Sequence, residues 1–289
     1  MTFSIVAVDK NTGEAGVGVA SKFFAVGAVV PWARASAGAG VTQANTNMSQ
    51  GPLGLDLMSR RVLPTEVVEQ LLNGDDERDQ RQIAFVDVQG KAASWTGDEC
   101  LPWAGSRVGE GYACQGNILS GPEVVESMAT SFEASDGPLP ERLLQALDAG
   151  LTAGGDSRGQ QSAAMYVAKE GGSYGGHLDR YIDLRVDDHT EPLTELRKLL
   201  GLHRLTFGSG GRPTLVRLQG NVVREVQRVL ERLGYYEGEI NGVNDAATQA
   251  ALTRYCQVEN FEERLAAAHE RGPEWIDREV LNHMRAQVQ

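Results

Sequence analysis

The sequence predicts an α+β protein: a layered domain of antiparallel sheets with helices outside them, then a small, mostly helical domain. Three observations carry this. Strand-like runs come as hairpin pairs across short turns such as Asn11-Thr12-Gly13 and Gln89-Gly90. Helical stripes come in consecutive pairs, so no steady strand–helix–strand alternation develops and a doubly wound sheet is excluded. Finally, Phe207-Gly-Ser-Gly-Gly-Arg-Pro213 has the composition of a linker. The expected division is therefore 1–206, a linker over 207–213, and 214–289.

The elements follow in order. Thr2 to Asp9 is β-branched and aromatic and reads as a strand; Gly13-Glu14 turns it into a second, Ala15 to Ser21. Its glycines Gly16 and Gly18 imply a backbone packed closely against a neighbour. Val26 to Ala35 and Ser36 to Gln43 read as further buried strand. A helix is expected after Gly51-Pro52, and a second after Pro64, with Val67, Val68, Leu71 and Leu72 on one face. Ile83 to Val88 and Lys91 to Thr96 form the next hairpin, and Tyr112 to Leu119 another strand. Two helical stripes follow, Val124/Val125/Met128/Phe132 and Leu143/Leu144/Leu147/Leu151. Strand returns at Ser162–Lys169 and Arg180–Val186, and a helix over Pro192–Leu202 closes the domain. Beyond the linker, Val222, Val223, Val226, Val229, Leu230 and Leu233 form a helical stripe. Asp245 caps a helix through Tyr255, and Trp275 to Met284 has helical spacing.

The 289 residues suit one large core or a core plus a small domain. A formal net charge of −12 argues against a sequence-independent grip on nucleic acid or anionic lipid. No apolar run approaches a membrane span, and no secretory signal is read at the N-terminus. Cys100, Cys114 and Cys256 are three, widely spaced, with no CxxC pair, which fits reduced thiols in a cytoplasmic protein. No cofactor and no metal site is expected. Asp187-Asp188-His189 is explained more simply as helix capping, and the sequence has no HExxH, GxSxG or phosphate-binding loop.

The chemistry centres on Thr2, directly behind Met1. A side chain this small permits removal of the initiator methionine, which would leave Thr2 as the N-terminus. An N-terminal Thr carries a hydroxyl nucleophile and, in its α-amine, a base on the same residue. With a pKa of about 7.7–8.0, roughly a tenth of that amine is free base near neutral pH. Uncharged polar residues gather at strand ends in Gln43-Ala-Asn45, Pro102-Trp103, Gln115-Gly-Asn117 and Gly154-Gly-Asp156-Ser-Arg158-Gly-Gln160. Such loops supply amide donors that can cradle an oxyanion; taken singly, each is explained more readily as a satisfied turn. Two functional readings stand for Lys22, lowering the pKa of a nearby hydroxyl or holding a substrate carboxylate, beside that of a plain rim lysine.

Taken together, Thr2-Phe-Ser-Ile-Val-Ala, Ser21-Lys-Phe-Phe-Ala-Val-Gly27, Pro102-Trp-Ala-Gly105, Gln115-Gly-Asn117 and Gly154-Gly-Asp-Ser-Arg-Gly-Gln-Gln-Ser162 resemble the DUF1028 family over about Thr2 to His203. That family is placed in the N-terminal-nucleophile (Ntn) hydrolase superfamily, and its substrate is not established. The resemblance implies a four-layer αββα sandwich with Thr2 as nucleophile. It implies Lys22 as the lysine near it, Asn117 as an oxyanion or positioning amide, and Asp156 with Gln160 as groups orienting the amine. Gln43, Asn45, Trp103 and Arg158 complete the expected substrate-binding set. The C-terminal segment resembles a peptidoglycan-binding module through Val226-Gln227, Leu233-Gly-Tyr-Tyr236, Gly238, Ile240-Asn-Gly242 and Tyr255-Cys-Gln257; it departs around Val243-Asn-Asp245 and at Cys256. Two functions from different classes result. One is an amidohydrolase acting on a small amide or peptide, a muropeptide among the candidates. The other is a non-catalytic binding or assembly protein. A homo-oligomer without membrane or nucleic-acid partners is expected in either case.

Overall fold

The computed structural model describes residues 2–208 and 214–288, and the linker segment 209–213 lies outside the described residues. The fold is mixed α+β, and every strand pair is antiparallel. Chain contacts divide it after Leu199, within a helix, into two units.

In the first unit, β1 (Thr2–Asp9), β2 (Glu14–Ser21), β7 (Gly105–Gly109), β8 (Tyr112–Asn117), β9 (Ser162–Ala168) and β10 (Arg180–Val186) form one sheet, in the order β10-β9-β2-β1-β8-β7. A second sheet runs β3-β4-β5-β6, built from β3 (Pro31–Arg34), β4 (Gly38–Ala44), β5 (Arg81–Asp87) and β6 (Ala92–Thr96). The two sheets meet through small and β-branched side chains: Val6, Val17 and Val19 from the first, Ala39, Val41, Ala84 and Val86 from the second. Side chains alternate across a strand, so the intervening residues face helices. On the second sheet, Ile83 and Phe85 pack under α1 (Gln50–Ser59) and α2 (Pro64–Leu72). On the first sheet, α3 (Glu123–Ala134) and α4 (Leu139–Thr152) take the outer face. A Cβ at Gly16 would stand 3.0 Å from the Leu143 side chain, and one at Gly18 3.1 Å from Leu147. The strand glycines thus admit a close-lying helix, as their pattern implied.

Some elements differ from expectation. Val26–Ala28 is a single 3-10 turn, and the strand starts only at Pro31. The Ser162 hydroxyl holds this turn, accepting from the Val26 amide at 3.1 Å and donating to the Phe23 carbonyl at 2.5 Å. β7 is an edge strand whose sequence, Gly-Ser-Arg-Val-Gly, carries too little apolar alternation to announce itself. The closing helix α5 (Pro192–Phe207) runs on through Phe207, the first residue of the expected linker.

In the second unit, α6 (Asn221–Arg232), α7 (Ala246–Val258), α8 (Glu262–His269) and α9 (Arg278–Ala286) share a core that includes Val226, Leu230, Leu252, Tyr255, Leu281 and Met284. The Asp245 cap forms as the sequence predicts, its carboxylate accepting from the Thr248 amide at 2.8 Å. The tail is not helical throughout. Trp275–Asp277 is a short strand, β12, paired with β11 (Leu215–Arg217). Asp277 then caps α9 by accepting from the Glu279 amide at 2.8 Å, which fixes where the helix begins.

Candidate active site

At one end of the space between the sheets the apolar alternation turns polar, strand by strand. The inward series Val8-Val6 of β1 continues as Ser4 and Thr2, and Val41 of β4 is followed by Gln43. Ala84 of β5 is preceded by Gln82, and Ala113 of β8 is followed by Gln115 and Asn117. The pairing register brings these ends together, since Thr2 lies opposite Asn117, Ser4 opposite Gln115, and Gln43 opposite Gln82. All are buried; Thr2 is 5% exposed.

Burial forces such groups to satisfy one another. Gln82 is the node. Its Oε1 accepts from Gln43 Nε2 at 2.8 Å and from Asn117 Nδ2 at 2.9 Å. Its Nε2 donates to the Gly116 carbonyl at 2.7 Å, to Thr96 Oγ1 at 2.9 Å and to the Gly105 carbonyl at 3.3 Å. Ser4 Oγ donates to Gln43 Oε1 at 2.7 Å, and Gln43 Nε2 also reaches the Thr2 carbonyl at 3.4 Å. The Thr2 hydroxyl lies 3.1 Å from that of Ser21 at the end of β2. Gln115 is the exception, because neither of its amide atoms has a hydrogen-bond partner among the described residues.

On the β2 side of Thr2 sits the glycine-rich segment. The buried Asp156 carboxylate accepts from the Lys22 amide at 2.7 Å and the Arg158 amide at 2.9 Å, and an Asp156–Leu119 bridge ties the segment to the end of β8. The Ser21 carbonyl accepts from the Gln161 amide at 3.0 Å. The ammonium of Lys22 is exposed and donates to the Gln160 carbonyl at 3.1 Å, so it is held by that loop.

On the β8 side a cavity of about 420 Å³ opens, with Asn45, Gln80, Glu99, Cys100, Leu101 and Asn117 in its wall. Ala44 and Ile118 also line it, and both are non-glycine residues with positive φ, 67° and 52°. A β-branched residue in that region is an outlier, and backbone strain of this kind gathers at functional sites. Asn45 Nδ2 donates to Gln80 Oε1 at 2.9 Å. Burial pushes the Cys100 thiol up from its ordinary pKa. Trp103 is half-buried, and its carbonyl accepts from the Leu119 amide at 2.9 Å.

The expected site residues thus fall into three groups around the start of β1, with Trp103 apart from them. Thr2, Gln43 and Asn117 share one buried network, Asn45 shares the cavity wall with Asn117, and Lys22, Asp156, Arg158 and Gln160 form the loop on the opposite side. Trp103 borders the end of β8. Sequence reasoning missed Gln82, Ser21 and Glu99. The signal for Gln82 was its place two residues before Ala84 on an inward-facing alternation.

A two-sheet antiparallel α+β unit with a buried hydroxyl and an amide network at one sheet end is the class that fold and site define. Within that class the chain belongs to DUF1028, a family of unknown function, whose model matches residues 2–196. A second family model, described as "Putative peptidoglycan binding domain", matches residues 211–284. Among solved structures, a DUF1028 protein from Silicibacter pomeroyi, determined by crystallography, is 31% identical with a TM-score of 0.64; the match covers 70% of this chain and 89% of that one. No curated protein matches. Among the described residues no helix is long and apolar enough to cross a membrane.

Proposed function

We propose that the first unit is an Ntn-type amidohydrolase with Thr2 as its nucleophile, and that its packing of helices, two sheets and helices is the αββα sandwich of that superfamily. The observation that carries the reading is the placement of the Thr2 hydroxyl. It is buried at the first position of a central strand, 3.1 Å from Ser21 Oγ, and the cross-strand partner of Thr2, Asn117, belongs both to the amide network and to the cavity wall.

Removal of Met1 frees the Thr2 α-amine, which takes the hydroxyl proton as Oγ1 attacks an amide carbonyl carbon. Asn117 spends one N–H on Gln82 and has a second to offer the oxyanion. The α-ammonium then protonates the departing amine, and water attacks the resulting ester, returning the Thr2 hydroxyl and releasing the acid. Lys22 and Arg158, on the exposed loop, take the substrate-carboxylate role. The second unit supplies affinity for cell-wall-derived peptides, a reading supported by its family match. We place the activity in the cytoplasm, in keeping with three free thiols.

The test begins with the intact mass of protein from its native host, followed by a screen of amide and muropeptide substrates. A mass short by one methionine is expected, with Thr2→Ala lowering turnover at least about a thousandfold and Thr2→Ser retaining it in part. Retention of Met1 would lock the amine in a peptide bond and overturn the reading in favour of a binding protein.

A further inference from the structure

We propose that the cavity beside Asn117 receives an ammonium-bearing portion of the amide substrate and that Glu99 selects it. The proposal rests on Thr2 being the nucleophile, since it assigns the chemistry of the wall that contains Asn117, the cross-strand partner of Thr2.

The wall is neutral and polar apart from one group. Asn45, Gln80 and Asn117 contribute amides, and Leu101 contributes an apolar edge. The thiol of Cys100, raised by burial, stays protonated near neutral pH. Glu99 supplies the one carboxylate, and no lysine or arginine lines the cavity. Its backbone is fixed by the Glu99 amide donating to the Asp79 carbonyl at 2.8 Å, while its carboxylate has no ion-pair partner among the described residues.

The neighbouring cations are committed elsewhere. Arg81 follows Gln80 in sequence, but it is 6% exposed, its charge is paired with Asp75 at 3.0 Å and Glu77 at 2.5 Å, and its remaining Nη1 donor is spent on the Asn45 carbonyl at 2.6 Å. Lys22 and Arg158 belong to the other side of Thr2: the strand order β9-β2-β1-β8 puts the end of β2 and the α4–β9 loop bonded to it on one flank and the cavity on the other. The β2 flank thus carries Lys22 and Arg158 with Asp156 as counter-charge, its Oδ2 3.5 Å from the Arg158 guanidinium, whereas the β8 flank carries Glu99. A cleft lined by one sign of charge concentrates the opposite sign, and the chain's net charge of −12 adds to that attraction.

The test uses the full chain bearing Thr2→Ala, so that binding is read without turnover. Three ligands of matched length are titrated calorimetrically: Nα-acetyl-lysine methylamide, its norleucine counterpart, and its glutamate counterpart. The lysine ligand is expected to bind about fivefold tighter than the norleucine ligand, the upper end for an ion pair in partial contact with water. The glutamate ligand should bind weakest. Glu99→Gln should erase the difference, whereas Asp136→Asn, an equal charge change on the exposed α3–α4 loop, should preserve it. Equal binding of the three ligands, no binding of any at millimolar concentration, or a preference that survives Glu99→Gln would each overturn the assignment. Failure of the nucleophile reading looks different: the preference would stand, while the Thr2-bearing chain would leave every amide intact.

Discussion

The two buried glutamines that face the other sheet from β5 and β8, Gln82 and Gln115, should respond to the same substitution with opposite sign. Methionine preserves length and approximate volume and removes every polar atom. At Gln82 the replacement breaks contacts to Gln43, Asn117, Gly116, Thr96 and Gly105. Gln43 Nε2 keeps its longer contact to the Thr2 carbonyl, and Asn117 and the Gly116 carbonyl lose these partners. A buried group left unsatisfied costs about 1–3 kcal/mol, so two or three of them predict a loss of about 3–5 kcal/mol. Against a typical total of about 5–15 kcal/mol, that is a large fraction.

At Gln115 the ledger reverses, because there is no hydrogen bond to break among the described residues and an uncompensated amide is removed from a fully buried position. Gln115→Met should stabilise by about 1–2 kcal/mol. The assay is urea unfolding followed by hydrogen exchange on peptides from β4, β5 and β8. It reads the first unit separately from the second, as a two-unit chain requires. A loss below about 1 kcal/mol for Gln82→Met would mean that the network contributes little. A comparable loss for Gln115→Met would mean that position alone, and not hydrogen bonding, sets the cost.

Two further outcomes follow from the packing around the site. Arg81 hydrogen bonding holds the Asp75 carboxyl below its ordinary value of 3.8, so the unfolded chain binds the proton more tightly than the folded one. The resulting stabilisation is complete above about pH 4 and lost as pH falls through the lower folded value. Asp75→Asn should flatten that acid limb and lower neutral-pH stability by about 2–4 kcal/mol, since Arg81 keeps only Glu77 as an ionic partner; a urea series across pH checks it. Two helical glycines should also part company in thermal melts. A Cβ at Gly54 would lie 2.3 Å from the Phe85 ring, so Gly54→Ala should cost about 1–3 kcal/mol. Gly201 in α5 has open space around it, and Gly201→Ala should gain about 0.5–1 kcal/mol.

The fold was legible where a single strand or helix declares its own period. The hairpins β1–β2 and β5–β6, the stripes of α2, α3, α4 and α6, and the Asp245 cap need no information from elsewhere in the chain. Errors arose where a distant partner overrides local preference. Val26 sits in a β-branched, apolar run, yet the Ser162 hydroxyl, 136 positions away, fixes a turn there. Trp275 and Ile276 have helical spacing with Val280, yet pairing with Leu215–Arg217 makes them strand. α1 carries Gly51 and Gly54, poor helix formers, because nothing larger fits over Trp32 and Phe85.

The site was legible by residue type and not by geometry, for the same reason at closer range. Each strand shows its own switch from apolar to polar: Val6 to Ser4 and Thr2, Val41 to Gln43, Ala84 to Gln82, Ala113 to Gln115 and Asn117. Taken alone, each switch looks like a strand end meeting water. Only the register reveals that all of them meet at one end and stay buried, with partners as far apart in sequence as Ser4 and Gln43 or Gln82 and Asn117. A core of valine and alanine would fill that space with no polar group to satisfy. Glutamine and asparagine kept there hold the Asn117 amide and the Thr2 carbonyl in fixed positions, which apolar side chains cannot do. That preorganisation is what an amide-cleaving site at Thr2 requires, and it is why Gln82, with no direct contact to Thr2 required, should govern the site's competence as much as its stability.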